Sequence, residues 1–131
     1  MPRISTKEIA RVLKLDDMER YAYFIEQVQT RRKVDVMRIT EGYACLTNDD
    51  GRRGICFWPH PQFARLMKED EWKDGKIQTV SWDDFLDDWL IGLLMDKLSA
   101  IVFPTPEGPA LSVAPDDLRR HLLGEAIPAD A

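Results

Sequence analysis

Between Ser81 and Leu98 large apolar residues recur at every third or fourth position: Trp82, Phe85, Leu86, Trp89, Leu90, Leu93 and Leu94. That spacing puts all seven on one face of an α-helix, each contributing about 1.5–3 kcal/mol when buried. Ser81, followed by Asp84, is a weakened capping box, with Asp where Glu or Gln is usual. The back of the helix carries Asp83, Asp84, Asp87 and Asp88. No other stretch offers as much apolar surface. The core is therefore expected to form around this helix.

The other elements follow from the same kind of pattern. Ser5 and Glu8 form a capping box ahead of Ile9, Val12 and Leu13, which predicts a short first helix. Asp16 or Asp17 caps a second helix running to about Thr30, with Met18, Tyr21, Phe24, Ile25 and Val28 inward. Arg31, Arg32 and Lys33 place positive charge at its C-terminal end, where the helix dipole favours it. The period then falls to two. Val34, Val36 and Arg38 alternate with Asp35, Met37 and Ile39, a strand pattern. Tyr43–Thr47 and Arg53–Trp58 flank Asn48-Asp49-Asp50-Gly51, a strong hairpin signal. A two-residue turn at Asp50-Gly51 would set Leu46 opposite Ile55 and Ala44 opposite Phe57. Cys45, Cys56, Tyr43 and Trp58 would then share the other face, whereas another turn length would separate the cysteines.

Pro61 suits the first turn of a helix carrying Phe63, Ala64, Leu66 and Met67 inward. A short strand at Ile77–Val80 leads into the long helix, and Ala100–Phe103 pairs with Leu111–Val113 as a second hairpin. Pro115, Asp116 and Asp117 open a last helix with Leu118, Leu122 and Leu123 on one side. The predicted order is α-α-β-β-β-α-β-α-β-β-α. It describes an α+β fold, a mainly antiparallel sheet built from hairpins with helices packed on it. The 131 residues are expected to form a single domain, frayed at residues 1–4 and 125–131.

A net charge of −5 argues against nucleic acid as a partner. The charge is uneven: residues 1–33 hold eight Lys/Arg against five Asp/Glu, and the remainder ten against eighteen. Neither a secretory leader nor a bilayer-length apolar run is present, and two cysteines without zinc spacing fit reduced thiols, so a cytoplasmic location with no membrane partner is expected.

The runs Asp49-Asp50-Gly51-Arg52, Phe57-Trp58-Pro59-His60-Pro61, Phe63-Ala64, and Phe85-Leu86 with Trp89-Leu90 and Leu93 resemble the bacterial domain-of-unknown-function 2750 family. Val102-Phe103-Pro104-Thr105-Pro106 with Gly108 is similar to it as well, so the resemblance spans roughly Arg20 to Leu118. It implies a small bacterial α+β domain with no established activity. The family often has Pro in a Trp-Leu-Pro segment where this chain has Ile91, which implies a straighter, longer helix there.

Three groups of residues are candidates for function. Trp58 and His60, with Tyr43, would line a cleft beside a helix N-terminus suited to an anionic or planar ligand. The structural alternative places Trp58 over the core and leaves His60 capping a helix between prolines. Asp83, Asp84, Asp87 and Asp88 repel one another at i, i+4 by a few tenths of a kcal/mol, a cost that a basic surface such as Arg31-Arg32-Lys33 would offset. Otherwise they form a solvated face; no third metal ligand stands at a recognisable spacing. Ile91 and Met95, with Leu90, Leu94 and Leu98, make the helix's second half apolar nearly all round, so it is either covered within the domain or met by another chain. Catalytic motifs are absent, no cofactor is implied, and His121 stands alone on the last helix. The expected function is a non-enzymatic protein-interaction or regulatory module that presents its acidic helix to a protein partner or to a second copy of itself. The alternative is a small-molecule-binding domain or weak enzyme with its cleft near Trp58 and His60.

Overall fold

The computed structural model of the chain describes residues 4–40, 42–47, 51–69, 72–106 and 110–127. The ends expected to fray are therefore outside the description at residues 1–3 and 128–131. Glu125 is hydrogen-bonded through its N–H to the Arg120 carbonyl, and Ile127 packs on the core.

Local capping starts the first two helices. In α1 (Thr6–Leu13) the Ser5 hydroxyl accepts the Glu8 N–H, while the Glu8 carboxylate binds the Arg11 guanidinium at 2.8 and 2.9 Å. In α2 (Asp17–Arg31) Asp16 and Glu19 form the full reciprocal box. Most of the predicted inward face of α2 is buried, namely Tyr21, Phe24, Ile25 and Val28, whereas Met18 is only partly covered. Tyr23 and Arg20 join them; Arg20 donates to the Leu15 carbonyl.

The strands are β1 (Lys33–Ile39), β2 (Gly42–Tyr43), β3 (Cys45–Thr47), β4 (Arg53–Phe57), β5 (Lys76–Ser81), β6 (Ser99–Val102) and β7 (Leu111–Val113). They form two sheets, ordered β2-β1-β5 and β3-β4-β6-β7. What reads as one strand from Tyr43 to Thr47 serves both: Tyr43 pairs with Arg38, and Cys45 with Ile55. Ala44 is the joint, its N–H donating to the Met37 carbonyl and its carbonyl accepting from Cys56. A second seam lies close by, where Asp35 and Trp58 exchange both backbone hydrogen bonds at 3.0 Å.

Two sequence expectations need correction. The β3–β4 hairpin pairs Cys45 with Ile55, Leu46 with Gly54 and Thr47 with Arg53, one residue away from the register a two-residue turn would give. β3 ends at Thr47 and β4 begins at Arg53, and Asn48, Asp49 and Asp50, where the turn was expected to begin, lie outside the described residues. Successive strand residues face opposite ways, so Cys45 and Cys56 lie on opposite faces. Both are free thiols, and burial pushes the Cys56 thiol up. The sheet is also not built from hairpins alone, because β6 enters parallel to β4. A parallel neighbour needs a long crossover, here the whole segment from Trp58 to Leu98.

That crossover carries α3 (Pro61–Arg65), β5 and the long helix, which we label α4 (82–95). Ser81 caps α4 through the Asp84 N–H at 3.3 Å. The stretch Phe85–Trp89 is a π-helical turn, closed by the Leu90 N–H on the Phe85 carbonyl. Phe85, Leu86, Leu90 and Leu93 are buried, whereas Leu94 remains 44 % exposed and Trp89 half-buried. The helix passes through Ile91 and ends in a Schellman turn, with Lys97 at φ 58° and the Leu98 N–H on the Leu93 carbonyl at 2.9 Å. The last helix, α5 (Pro115–Leu122), closes the fold.

Helices cover both sheet faces. Phe57 meets Phe85 of α4 at 5.0 Å between ring centroids; its neighbour Trp58 points the other way and meets Trp72 at 6.5 Å. Four consecutive residues of β1, Val34–Met37, and all of β6 are buried, as strands covered on both sides must be. Among the described residues, no helix is long and apolar enough to cross a membrane.

Candidate functional site

The two Pro-rich runs meet at the centre of the molecule. The Trp58 indole N–H donates to the Pro104 carbonyl at 2.9 Å, and the Phe103 N–H to the Phe57 carbonyl at 2.8 Å. Phe103 holds a φ of 62°, a rare conformation for an aromatic residue, and stacks edge-on against Phe63 at 4.7 Å. Around the first run, Arg31 donates to the Pro59 carbonyl and to Asp35 at 3.2 Å, and Thr79 donates to the other Asp35 oxygen at 2.8 Å. His60 occupies the N-cap position of α3 but does not cap it with its side chain; its Nε2 lies 2.8 Å from Gln27 Oε1. The run thus locks strand, helix and loop together.

A cleft lined by Tyr43, Trp58 and His60 is therefore not formed. Trp58 is fully buried and His60 is 6 % exposed. Tyr43 sits elsewhere, edge-on to Trp89 at 4.7 Å. Burial, reinforced by the Arg31 charge, lowers the His60 pKa to about 4. In the unfolded chain it titrates near 6.5. Between those values the unfolded state holds a proton that the folded state has released, so this stabilisation is complete above pH 6.5 and lost as pH falls towards 4. At about 1.4 kcal/mol per unit the loss approaches about 3 kcal/mol. Melting temperature should drop across that window, and the His60→Gln variant should flatten the drop; equal slopes in both proteins would assign it to other groups.

The acidic helix behaves differently. Asp83, Asp84, Asp87 and Asp88 are all exposed, and Asp87 pairs loosely with Arg119 at 3.7 Å. The basic triplet expected to offset them is largely committed: Arg31 is paired with buried Asp35, and the Arg32 guanidinium lies 4.5 Å over the Trp82 ring. Of the two alternatives for Ile91 and Met95, cover within the domain is not what the fold provides: they stand 43 % and 78 % exposed, with Leu94 between them. Beside them lies an open groove of about 280 Å³ walled by Tyr43, Trp89, Leu93 and Leu98, with Asp88 and Asp96 at its rim. Among the described residues, no three His, Cys, Asp or Glu side chains are placed to hold a metal ion.

A second cavity, about 400 Å³, opens between α2, β7 and α5. In it His121, isolated in the sequence, joins Tyr21 from one hundred residues away, with the phenol oxygen 2.7 Å from Nδ1. Ser112 is among the residues around it, but its hydroxyl is shut off from the solvent and has no hydrogen-bond partner among the described residues. Nothing in the local pattern marks this pair. Tyr21 reads as core and His121 as a helix-end residue until the fold brings α2 and α5 together.

A family model described as protein of unknown function, DUF2750, matches residues 21–122. No curated protein and no solved structure matches the chain.

Proposed function

The chain belongs to the DUF2750 family, and we propose that it is a protein-interaction module whose helix α4 receives a basic amphipathic segment of a partner protein. The observation that carries this reading is the row Ile91, Leu94 and Met95, left in solvent at i, i+3, i+4 spacing on one helix, whereas the other exposed large apolar side chains among the described residues, Leu46 and Leu123, belong to other segments. Such a row matches the anchor pattern by which amphipathic helices dock. The groove of Tyr43, Trp89 and Leu98 extends it sideways. Asp83, Asp84, Asp87, Asp88 and Asp96 surround it with negative charge, which favours a basic segment and disfavours α4 of a second copy.

A synthetic Leu/Lys amphipathic peptide tests this, with Trp89 fluorescence and calorimetry as readouts. Binding is expected to be saturable and weakened by salt. Ile91→Ser/Met95→Ser should weaken it about tenfold or more, and Asp87→Asn/Asp88→Asn should reduce its salt dependence. Both variants should melt within about 0.5 kcal/mol of the parent, because the altered side chains are exposed. Binding unchanged in both variants would overturn the reading. Sedimentation showing a dimer that Ile91→Ser/Met95→Ser dissolves would assign the face to self-association instead.

A further inference from the structure

On the reading that α4 receives a basic amphipathic segment, we infer the pattern that the segment carries. One large apolar side chain enters the groove over Gly92, with a cation before it and a cation after it, one for Asp88 and one for Asp96. The wall that α4 gives the groove is Asp88, Trp89, Gly92, Leu93 and Asp96, so carboxylate, glycine and carboxylate succeed one another at four-residue steps. Residues so spaced are neighbours along one side of a helix. Gly92 is the gap in that row. Nothing lies within 4 Å of its Cβ position, and Ile55, Leu93 and Leu98 of the same groove are apolar. Tyr43, also in the groove, stands edge-on to Trp89 at 4.7 Å. A side chain placed over Gly92 therefore meets apolar and aromatic groups, with a carboxylate on either side along the helix.

Distance decides that two cations are needed rather than one. At about 1.5 Å of rise per residue, Asp88 and Asp96 are set about 12 Å apart, more than the screening length of about 8 Å at physiological salt. A single ammonium cannot touch both. Repulsion between them is slight, so the fold gains little by pairing them, and it does not. Asp87 reaches Arg119 at 3.7 Å, whereas Asp88 and Asp96 are exposed and make no ion pair among the described residues. On a partner helix lying along α4, cations four residues before and four after the anchor match this spacing. The row reads the same from either end, so either direction of the partner helix satisfies it. Two cations on one side of the anchor leave one carboxylate unmet.

Two synthetic helical peptides of identical composition test this by calorimetry on the whole chain at low salt. One carries lysines four residues before and four after its anchor leucine; its isomer carries both before it, at four and eight. The flanked isomer should bind about three- to fivefold more tightly, the worth of one exposed ion pair. Asp88→Asn and Asp96→Asn should each erase that preference, because one carboxylate serves both isomers equally. Gly92→Leu, which fills the gap, should weaken both isomers about tenfold. All three variants should stay folded, since the two acids are exposed and the Gly92 position is open. Equal affinity of the isomers for the parent chain, a preference that persists in both Asn variants, or full affinity in Gly92→Leu would overturn the inference and leave α4 as a docking face. Binding of neither isomer would remove both.

Discussion

Replacing Gly54 with alanine is expected to lower stability by about 4 kcal/mol or more, enough to unfold a large fraction of a marginally stable domain. A Cβ there would lie 2.7 Å from the Ser99 carbonyl carbon and 2.9 Å from Ile101 Cγ1, with the Ser99 oxygen nearer still. Overpacking in a core usually costs about 1–3 kcal/mol because side chains can shift. Here two of the three nearest atoms are backbone and cannot turn aside. Relief would require β4 and β6 to separate along the ladder from Gly54–Ser99 to Phe57–Val102. Phe57 and Trp58 lie on or just beyond that strand, so both sheet faces would lose their packing. Gly92 is the control. Nothing lies within 4 Å of its Cβ position, and alanine there should stabilise the helix by up to about 1 kcal/mol. Urea unfolding of the two variants would show it; a Gly54→Ala midpoint near that of the parent would refute the account.

Gly54 also shows where the sequence is legible and where it is not. Helix starts were readable because caps are local: Ser5, Asp16 and Ser81 each reach an N–H three residues on. Element order was readable because changes of period mark each boundary. The hairpin register was not, since it depends on a loop count and on which residue can face a bare backbone. Gly54 meets that demand because of Ser99, which no local pattern connects to it. The parallel pairing and the division of Tyr43–Thr47 between two sheets are likewise long-range outcomes.

The same divide runs through the sites. Trp58 and His60 have the chemistry of a binding cleft, but burial decides their role, and burial comes from Pro104, Gln27 and Trp72, far along the chain. The four aspartates were legible as exposed surface because a helix has only one back. The solvent-facing edge at Ile91 and Met95 was less so, since a regular α-helix carrying Leu90, Leu94 and Leu98 allows either burial or exposure. Which of the two holds is decided by how α4 lies on the sheet, where Phe85 and Trp89 both meet Phe57. The Tyr21–His121 pair left no trace in the pattern at all.

Arg31→Ala should cost about 3–5 kcal/mol at neutral pH, with a deficit that shrinks in acid. The Arg31 side chain is 9 % exposed and Asp35 is fully buried, with the charges 3.2 Å apart. Without the guanidinium, Asp35 keeps the Thr79 hydroxyl but no cation at hydrogen-bonding distance. Burial already raises the Asp35 pKa above its ordinary 3.8 despite Thr79 and Arg31, and losing Arg31 raises it further. Between the unfolded and folded values the folded chain binds the proton that the unfolded chain has released. Stability contributed by Asp35 therefore falls as pH rises through that window and is recovered as pH drops towards 4. His60 adds to the trend. Arg31 helps to depress its pKa, so the variant should also lose less stability between pH 6.5 and 4. Urea unfolding at neutral and mildly acidic pH should show the parent and variant curves converging, and adding Asp35→Asn to Arg31→Ala should restore roughly 2 kcal/mol at neutral pH. A deficit that stays constant with pH and is not relieved by Asp35→Asn would place the loss in the Pro59 hydrogen bond and the packing of the Arg31 stem rather than in a stranded carboxylate.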